Sequence, residues 1–233
     1  MTDELWVCRL PETEYREALD LQERLRATRQ EDRIPDTLLL LEHAPVYTRG
    51  RRSDATELPL GEAWYRGQGI DIVDVDRGGR VTYHGPGQLV GYPIMRIDDV
   101  ISYLRTMEHA IVAALADAGV SARARPDEGP DFTGVWSGER KIASIGVHVA
   151  RHVTTHGFAI NVENDLSPFG WVVPCGLSGV LMTSVLAETG EQNASASLLA
   201  EVREHMAHRF AETFERTPID VALDELVAAA PTA

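Results

Sequence analysis

Lysine is almost absent from this chain. Of 22 Lys and Arg residues among 233, one is lysine, Lys141, and every other is arginine. Cysteine is nearly as scarce, with Cys8 and Cys175 the two present. One possible pair makes no disulfide framework, and such usage fits a reducing compartment. Cationic excess is missing too, since 36 Asp and Glu bring the formal charge to −14. No block of basic residues forms an arm, which argues against nucleic acid as a partner. The longest uninterrupted apolar stretch, Ala110–Ala116, is far short of the roughly 20 residues that span a bilayer. The first thirty residues carry Asp3, Glu4, Glu12 and Glu14 and no apolar core, unlike a secretory signal. The expectation is a cytoplasmic protein without a membrane segment.

What remains is an ordinary globular composition, 44% hydrophobic and 25% charged, which excludes wholesale disorder. Strands are expected at Leu5–Leu10, Thr37–Leu41, Val46–Thr48 and Ile70–Asp76, then through Val81, Tyr83 and Leu89–Met95. Pro11 is expected to open an amphipathic helix carrying Tyr15, Ala18, Leu19 and Leu25. Asp98 or Asp99 can cap a second helix that ends at Gly119. Val135-Trp136, a Ser137-Gly138 turn and Lys141–Val149 form a hairpin that continues through Val153–Val162. Pro168–Gly179 reads as a loop, the stretch from Ala194 as a helix, and Asp220–Ala229 as a shorter one. No repeat, low-complexity tract or linker interrupts the chain, so residues 1–233 read as one domain. Strands in hairpin-like groups with helices between them predict a mixed α/β (α+β) fold.

Residues 77–88, Arg77-Gly78-Gly79-Arg80-Val81-Thr82-Tyr83-His84-Gly85-Pro86-Gly87-Gln88, stand out. Adjacent glycines allow a backbone to approach a ligand closely, and the Gly-Pro-Gly turn should keep Tyr83, His84 and Gln88 together. Two ordinary turns around a satisfied histidine are the plainer reading. The segment lacks the ending of a P-loop and is no dinucleotide fingerprint. His148, His152 and His156 have the spacing of helical metal ligands, but their sequence context is β-like, so no metal site is expected. Cys8 lies on a strand and reads as structural. Cys175, between Pro174 and Gly176, sits in a loop that can present its side chain rather than pack it. A surface position is the plain reading of any lysine. In a chain that otherwise uses arginine, however, Lys141 is set apart by chemistry: a desolvated lysine can surrender a proton and arginine cannot. In a shared pocket, Lys141 and Cys175 could exchange one proton.

RGGRVTYHGPGQLVGYPI at 77–94, GVWSGERKIASIGVHV at 134–149, THGFAINV at 155–162 and VPCG at 173–176 together resemble the octanoyltransferases of lipoate biosynthesis. The motifs occur in family order, and the resemblance covers nearly the whole chain. It implies a single domain similar to the catalytic module of biotin and lipoate ligases, with a large mixed sheet flanked by helices and a smaller sheet. It also implies roles. Cys175 matches the acyl-accepting nucleophile and Lys141 the lysine that activates it. Arg77, Gly78, Gly79, Arg80, Val81, Thr82, Tyr83 and His84 match the loop around acyl chain and thioester, and Ser144-Ile145-Gly146 and Gly157-Phe158-Ala159 match two further lining segments. The implied donor is octanoyl-acyl carrier protein. The implied acceptors are lipoyl domains of 2-oxoacid dehydrogenase complexes and the glycine cleavage H protein. A thioester is already activated, so no cofactor is called for.

Other readings of the same motifs are an ATP-dependent lipoate or biotin-type ligase, a transferase between lipoyl domains, and a non-catalytic acyl-binding module. At −14 the chain cannot attract acidic partners through its overall field. Arg49, Arg51, Arg52, Arg77, Arg80 and Arg140 are candidates for a local docking patch, with internal ion pairs the alternative for each. The N–H groups of Arg77-Gly78-Gly79 are candidate oxyanion donors.

Overall fold

The computed structural model describes residues 3–172, 180–190 and 198–231. It opens with β1 (Glu4–Glu12) and α1 (Tyr15–Gln30). The helix does not start at Pro11. That proline falls where the register of β1 shifts, a place that tolerates a missing N–H. Glu14 caps the helix instead, accepting from the N–H groups of Arg16 and Glu17. Next come β2 (Asp36–Glu42), β3 (Val46–Arg49), the short α2 (Glu62–Gly67), β4 (Asp71–Asp74), β5 (Val81–His84) and β6 (Gln88–Ile94). α3 (Val100–Asp117) starts on Asp99, which accepts from the Ser102 N–H, and ends ahead of Gly119 at positive φ. β7 (Arg123–Ala124), β8 (Gly134–Ser137), β9 (Arg140–Ala150) and β10 (Val153–Asn161) follow. The last elements are β11 (Leu181–Met182), α4 (Val185–Thr189), α5 (Leu198–Thr213), β12 (Thr217–Asp220) and α6 (Leu223–Ala229).

The large sheet runs β12-β1-β2-β6-β10-β9-β8-β7, with β11 alongside the start of β9; the small one runs β4-β3-β5. The large sheet is mixed: β1 is parallel to β12 and β2, whereas β2, β6, β10, β9 and β8 pair antiparallel in turn. Arg151 and His152, both at positive φ, make the two-residue turn of the β9–β10 hairpin. Leu38, Leu40, Leu89 and Phe158 face α3 and α5, where Met107, Ile111, Met206 and Phe210 meet them. Leu39, Leu41, Val90 and Ala159 face the opposite way, toward Ala18, Leu21 and Leu25 of α1 and Leu226 of α6. Both faces of the central strands are thus covered, which explains the unbroken apolar run in β2. Ile72 and Val73 of β4 are both buried, because Ile72 joins the aromatic core of the small sheet and Val73 packs with Tyr15. No helix among the described residues is long and apolar enough to cross a membrane.

Candidate active site

β9 and β10 form the floor of a groove. Ser144 pairs with Ala159 and Gly146 with Gly157, so small residues lie opposite one another on one face. Alternation sends Ile145 and Phe158 to the other face, where they join the core beneath α3 and α5. They line the groove along its floor strands without turning their side chains into it.

The roof is the 77–80 loop. The Gly78 N–H donates to the Val147 carbonyl at 2.9 Å, tying the loop to β9. The Arg51 N–H donates to the Arg77 carbonyl and that of Arg52 to the Gly79 carbonyl, both at 3.1 Å. Buried Arg77 folds back on its own frame, with its guanidinium donating to the Thr48 hydroxyl (2.6 Å) and carbonyl (2.8 Å) and to the Gly78 carbonyl (3.0 Å). Gly50 and Gly146 give this arginine room: a Cβ on Gly50 would come within 2.6 Å of the Gly79 carbonyl oxygen. Buried Glu57 accepts from Arg80 at 2.6 Å and from the Val81 N–H at 3.0 Å, fixing the far side of the loop. Since the Gly78 N–H is engaged by Val147, it is withdrawn from the candidate oxyanion donors.

Lys141 lies in the wall shared by this groove and an adjoining cavity, only 3% exposed, with Nζ 5.3 Å from the Trp136 ring centroid. Gly134, at φ +134°, makes space for it: a Cβ there would stand 2.7 Å from Lys141 Cε. Gly134 is held in turn by Glu108, a fully buried carboxylate on α3 that accepts its N–H at 3.0 Å. On the other side β11 pairs with Arg140 and Lys141, and Glu188 accepts from Ser137, Arg140 and Thr183. The lysine is therefore braced from both neighbouring strands.

The loop's own turn keeps His84 and Gln88 together, as the motif suggests. His84 Nδ1 donates to Gln88 Oε1 at 2.7 Å, and the Gln88 amide donates to the Tyr83 carbonyl and to Asn161 Oδ1. Tyr83 itself points away from the groove, into an aromatic cluster with Tyr47 and Phe169. Gly79, Arg80, Val81, Thr82 and His84 line the groove, whereas Gly78 lines the adjoining cavity.

Three lining residues, Tyr15, Tyr92 and His156, were not singled out as lining from the sequence. They belong to a buried polar cluster with His43 and His84. His43 Nδ1 donates to the Thr13 carbonyl and its Nε2 accepts from the Tyr92 hydroxyl, each at 2.7 Å. Burial pulls His43 down to about 4 and holds His84 well below the ordinary imidazole range. His156 sits at φ +57° in mid-strand, a strained conformation for a non-glycine residue. Its backbone N–H donates to Gln22, its Nε2 donates to Asp76 at 2.9 Å, and the Tyr15 hydroxyl reaches Nδ1 at 3.5 Å. That hydrogen bond holds the Asp76 carboxyl down at about 2, while burial lowers His156 itself. His148 shares Asp76 at 3.4 Å, but His152 lies in the hairpin turn, so the three evenly spaced histidines do not converge. Among the described residues no cluster is arranged to hold a metal ion.

Cys175 lies outside the described residues. The chain leading to it is firmly placed: the Tyr47 hydroxyl donates to the Pro168 carbonyl at 2.6 Å and the Tyr65 hydroxyl to the Trp171 carbonyl at 2.7 Å. Beyond it, β11 lies beside Lys141.

The arginines expected to form a docking patch are largely occupied. Arg49 pairs with Asp74 and Glu62, Arg52 with Asp131, Arg80 with Glu57, and Arg140 with Glu188. Arg77 is buried in the loop frame. Arg51 is exposed and appears in no ion pair among the described residues.

The chain's single lysine is thus buried beside a groove floored by small residues. Residues 14–211 match the lipoyl protein ligase A/B catalytic domain, and the chain belongs to that family. Its curated relatives include the octanoyltransferase of Solibacter usitatus, 46% identical over 87% of this chain and 89% of the relative. Another is the octanoyltransferase of Thermobifida fusca, 41% identical over 83% of each chain. Among solved structures, lipoate-protein ligase A bound with ATP matches with a TM-score of 0.74 at 22% identity, covering 99% of this chain and 93% of the other. A bi-partite lipoate protein ligase from Thermoplasma acidophilum gives 0.71 at 20% identity, covering 99% and 91%. At such identities the structures establish the fold, and it is the mixed α/β architecture that the resemblance implies.

Proposed function

We propose that this chain transfers the octanoyl group of octanoyl-acyl carrier protein to the lysine of a lipoyl domain, the first step of lipoate assembly. Octanoyl transfer is the activity carried in the names of relatives 41–46% identical to it. The observation that carries the reading to residues is the placement of Lys141. The chain's single lysine is buried where the acyl groove, the Gly-Gly loop and the strand that follows the Cys175 segment come together.

Lys141 takes the proton of the Cys175 thiol, and the thiolate attacks the thioester carbonyl of the donor. The carbon–sulfur bond to the carrier's phosphopantetheine breaks, its thiol recovers the proton from Lys141, and the octanoyl group remains as a thioester on Cys175. The acceptor lysine, belonging to a 2-oxoacid dehydrogenase subunit or the glycine cleavage H protein, then attacks as a neutral amine. Lys141 removes a proton as the amide forms and Cys175 leaves as thiolate. With Gly78 engaged by Val147, the oxyanion role falls to the Gly79 N–H. The Ser144, Gly146, Gly157 and Ala159 floor leaves room for an unbranched chain.

The test is a reaction without nucleotide. Purified protein, octanoyl-acyl carrier protein and a lipoyl domain, with no ATP, should yield an octanoylated lipoyl domain. Transfer only from free octanoate, and only when ATP is supplied, would mark the chain as a ligase instead.

A further inference from the structure

The cavity adjoining the acyl groove lies on the α3 side of β9. Its floor is the edge of β9 beyond Ser144, where pairing with β8 stops at Gly134. Past that point this edge has no strand partner among the described residues, and Gly78 takes the Val147 carbonyl. The walls are Val100 and Leu104 from the first turns of α3 and Pro130 and Thr133 from the approach to β8. The cavity measures about 250 Å³ and shares Lys141, Gly79 and Arg80 with the groove. Two of its features are unusual. The first turn of α3 carries no acidic residue, and Val100, which lines the cavity, is 39% exposed. An open strand edge beside an exposed apolar side chain is a surface built to be covered.

We infer that this vestibule receives the arm of the thioester donor, so that the acyl chain lies in the groove and the arm lies outside it, with the thioester between them at Lys141. The inference rests on the octanoyl-transfer reading. Its chemistry fits on two counts. The arm is a linear chain with two amides, which can hydrogen-bond to an open strand edge as an added strand does. Its methylene and gem-dimethyl carbons suit Val100 and Leu104. It ends in a phosphate, which at the rim would have to compete with Asp131 for Arg52 and with Glu57 for Arg80. The two cavities meet at Lys141, Gly79 and Arg80, which line both, so a thioester held there has the groove on one side and the vestibule on the other.

Two donors separate the arm from the acyl chain: S-octanoyl-pantetheine and S-octanoyl-ethanethiol, in which the arm is cut away. Acyl-enzyme formation is followed by intact mass for wild type, Val100→Trp and Thr133→Trp, two variants that narrow the vestibule from opposite walls. The half-saturating concentration of octanoyl-pantetheine should rise about tenfold in each variant, while that of octanoyl-ethanethiol changes less than about twofold. Equal effects on both donors, or none, would overturn the assignment. So would normal acylation by both donors with loss of transfer to the lipoyl domain, which would give the vestibule to the acceptor. With octanoyl-acyl carrier protein run alongside, acylation by it but by neither truncated donor would overturn this inference alone, and no acylation by any of the three would overturn the transfer reading as well.

Discussion

At the scale of single residues, the chemistry depends on a lysine that arginine cannot replace. Lys141→Arg keeps the charge but not the ability to give up and recover a proton, so turnover should fall on the order of 10³-fold, with the melting temperature less affected. Gly134→Ala reaches the same lysine by another route. Its Cβ would stand 2.5 Å from the Ala143 carbonyl and 2.7 Å from Lys141 Cε, at a φ alanine rarely adopts. A cost of about 2–3 kcal/mol in urea unfolding is expected, together with reduced turnover. The buried histidines set the pH response. His43 has its folded value depressed to about 4, so between 6.5 and 4 the unfolded chain binds more protons than the folded one. Stability from this group is full above pH 6.5 and is lost as pH falls toward 4, on the order of 3 kcal/mol for His43 alone. Urea midpoints measured across that window should fall with pH. His43→Gln, which retains a donor and an acceptor, should flatten the slope. The sequence showed the motif residues, yet His156, inside the 155–162 motif and one of three evenly spaced histidines, carried no sign of lining the groove. Its positive φ, which breaks strand alternation and brings the ring to Asp76 and Tyr15, leaves no mark in residue spacing.

At the scale of elements, α3 acts on the site through one buried side chain. Glu108 accepts the Gly134 N–H and pairs with Arg105, so the helix fixes the start of β8 and with it the space for Lys141. Glu108→Ala should destabilise the fold by about 3 kcal/mol, since it leaves a buried N–H unpaired as well as a void. Glu108→Gln keeps an acceptor for Gly134 and should recover most of the turnover. That contrast, read as kcat alongside thermal melts, separates positioning from simple packing. Helices with an apolar stripe and a polar cap, such as α3, were legible in advance, as were the buried strands β2 and β6. β12 was not: all four of its residues are exposed, so no periodicity records it, and it carries Pro218 at the sheet edge. β11 is two residues long and exists through its pairing with Arg140 and Lys141. Long-range pairing of that kind has no local signature.

At the scale of the whole molecule, the arginines are fasteners. Arg9 grips Glu204 through two nitrogens, each at 2.7 Å, and Arg209 grips Asp117 at 2.6 and 2.8 Å, joining distant parts of the chain through the planar forks that lysine lacks. The same habit consumes most of the arginines around the site, which the sequence offered as a docking patch without indicating their partners. Arg51 remains as an outward cation, and the half-exposed Arg52 beside it is paired with Asp131 at 3.1 Å. Reversing both to Glu should raise the KM for octanoyl-acyl carrier protein several-fold at low salt, with the difference shrinking as salt rises. An unchanged KM at every ionic strength would remove these two residues from the encounter. The most direct measurement is the intact mass of the protein after incubation with octanoyl-acyl carrier protein. A single octanoyl adduct, released by hydroxylamine, transferred onward to a lipoyl domain and missing from Cys175→Ala, is the predicted result. No adduct on the wild type, or an undiminished one on Cys175→Ala, would contradict it.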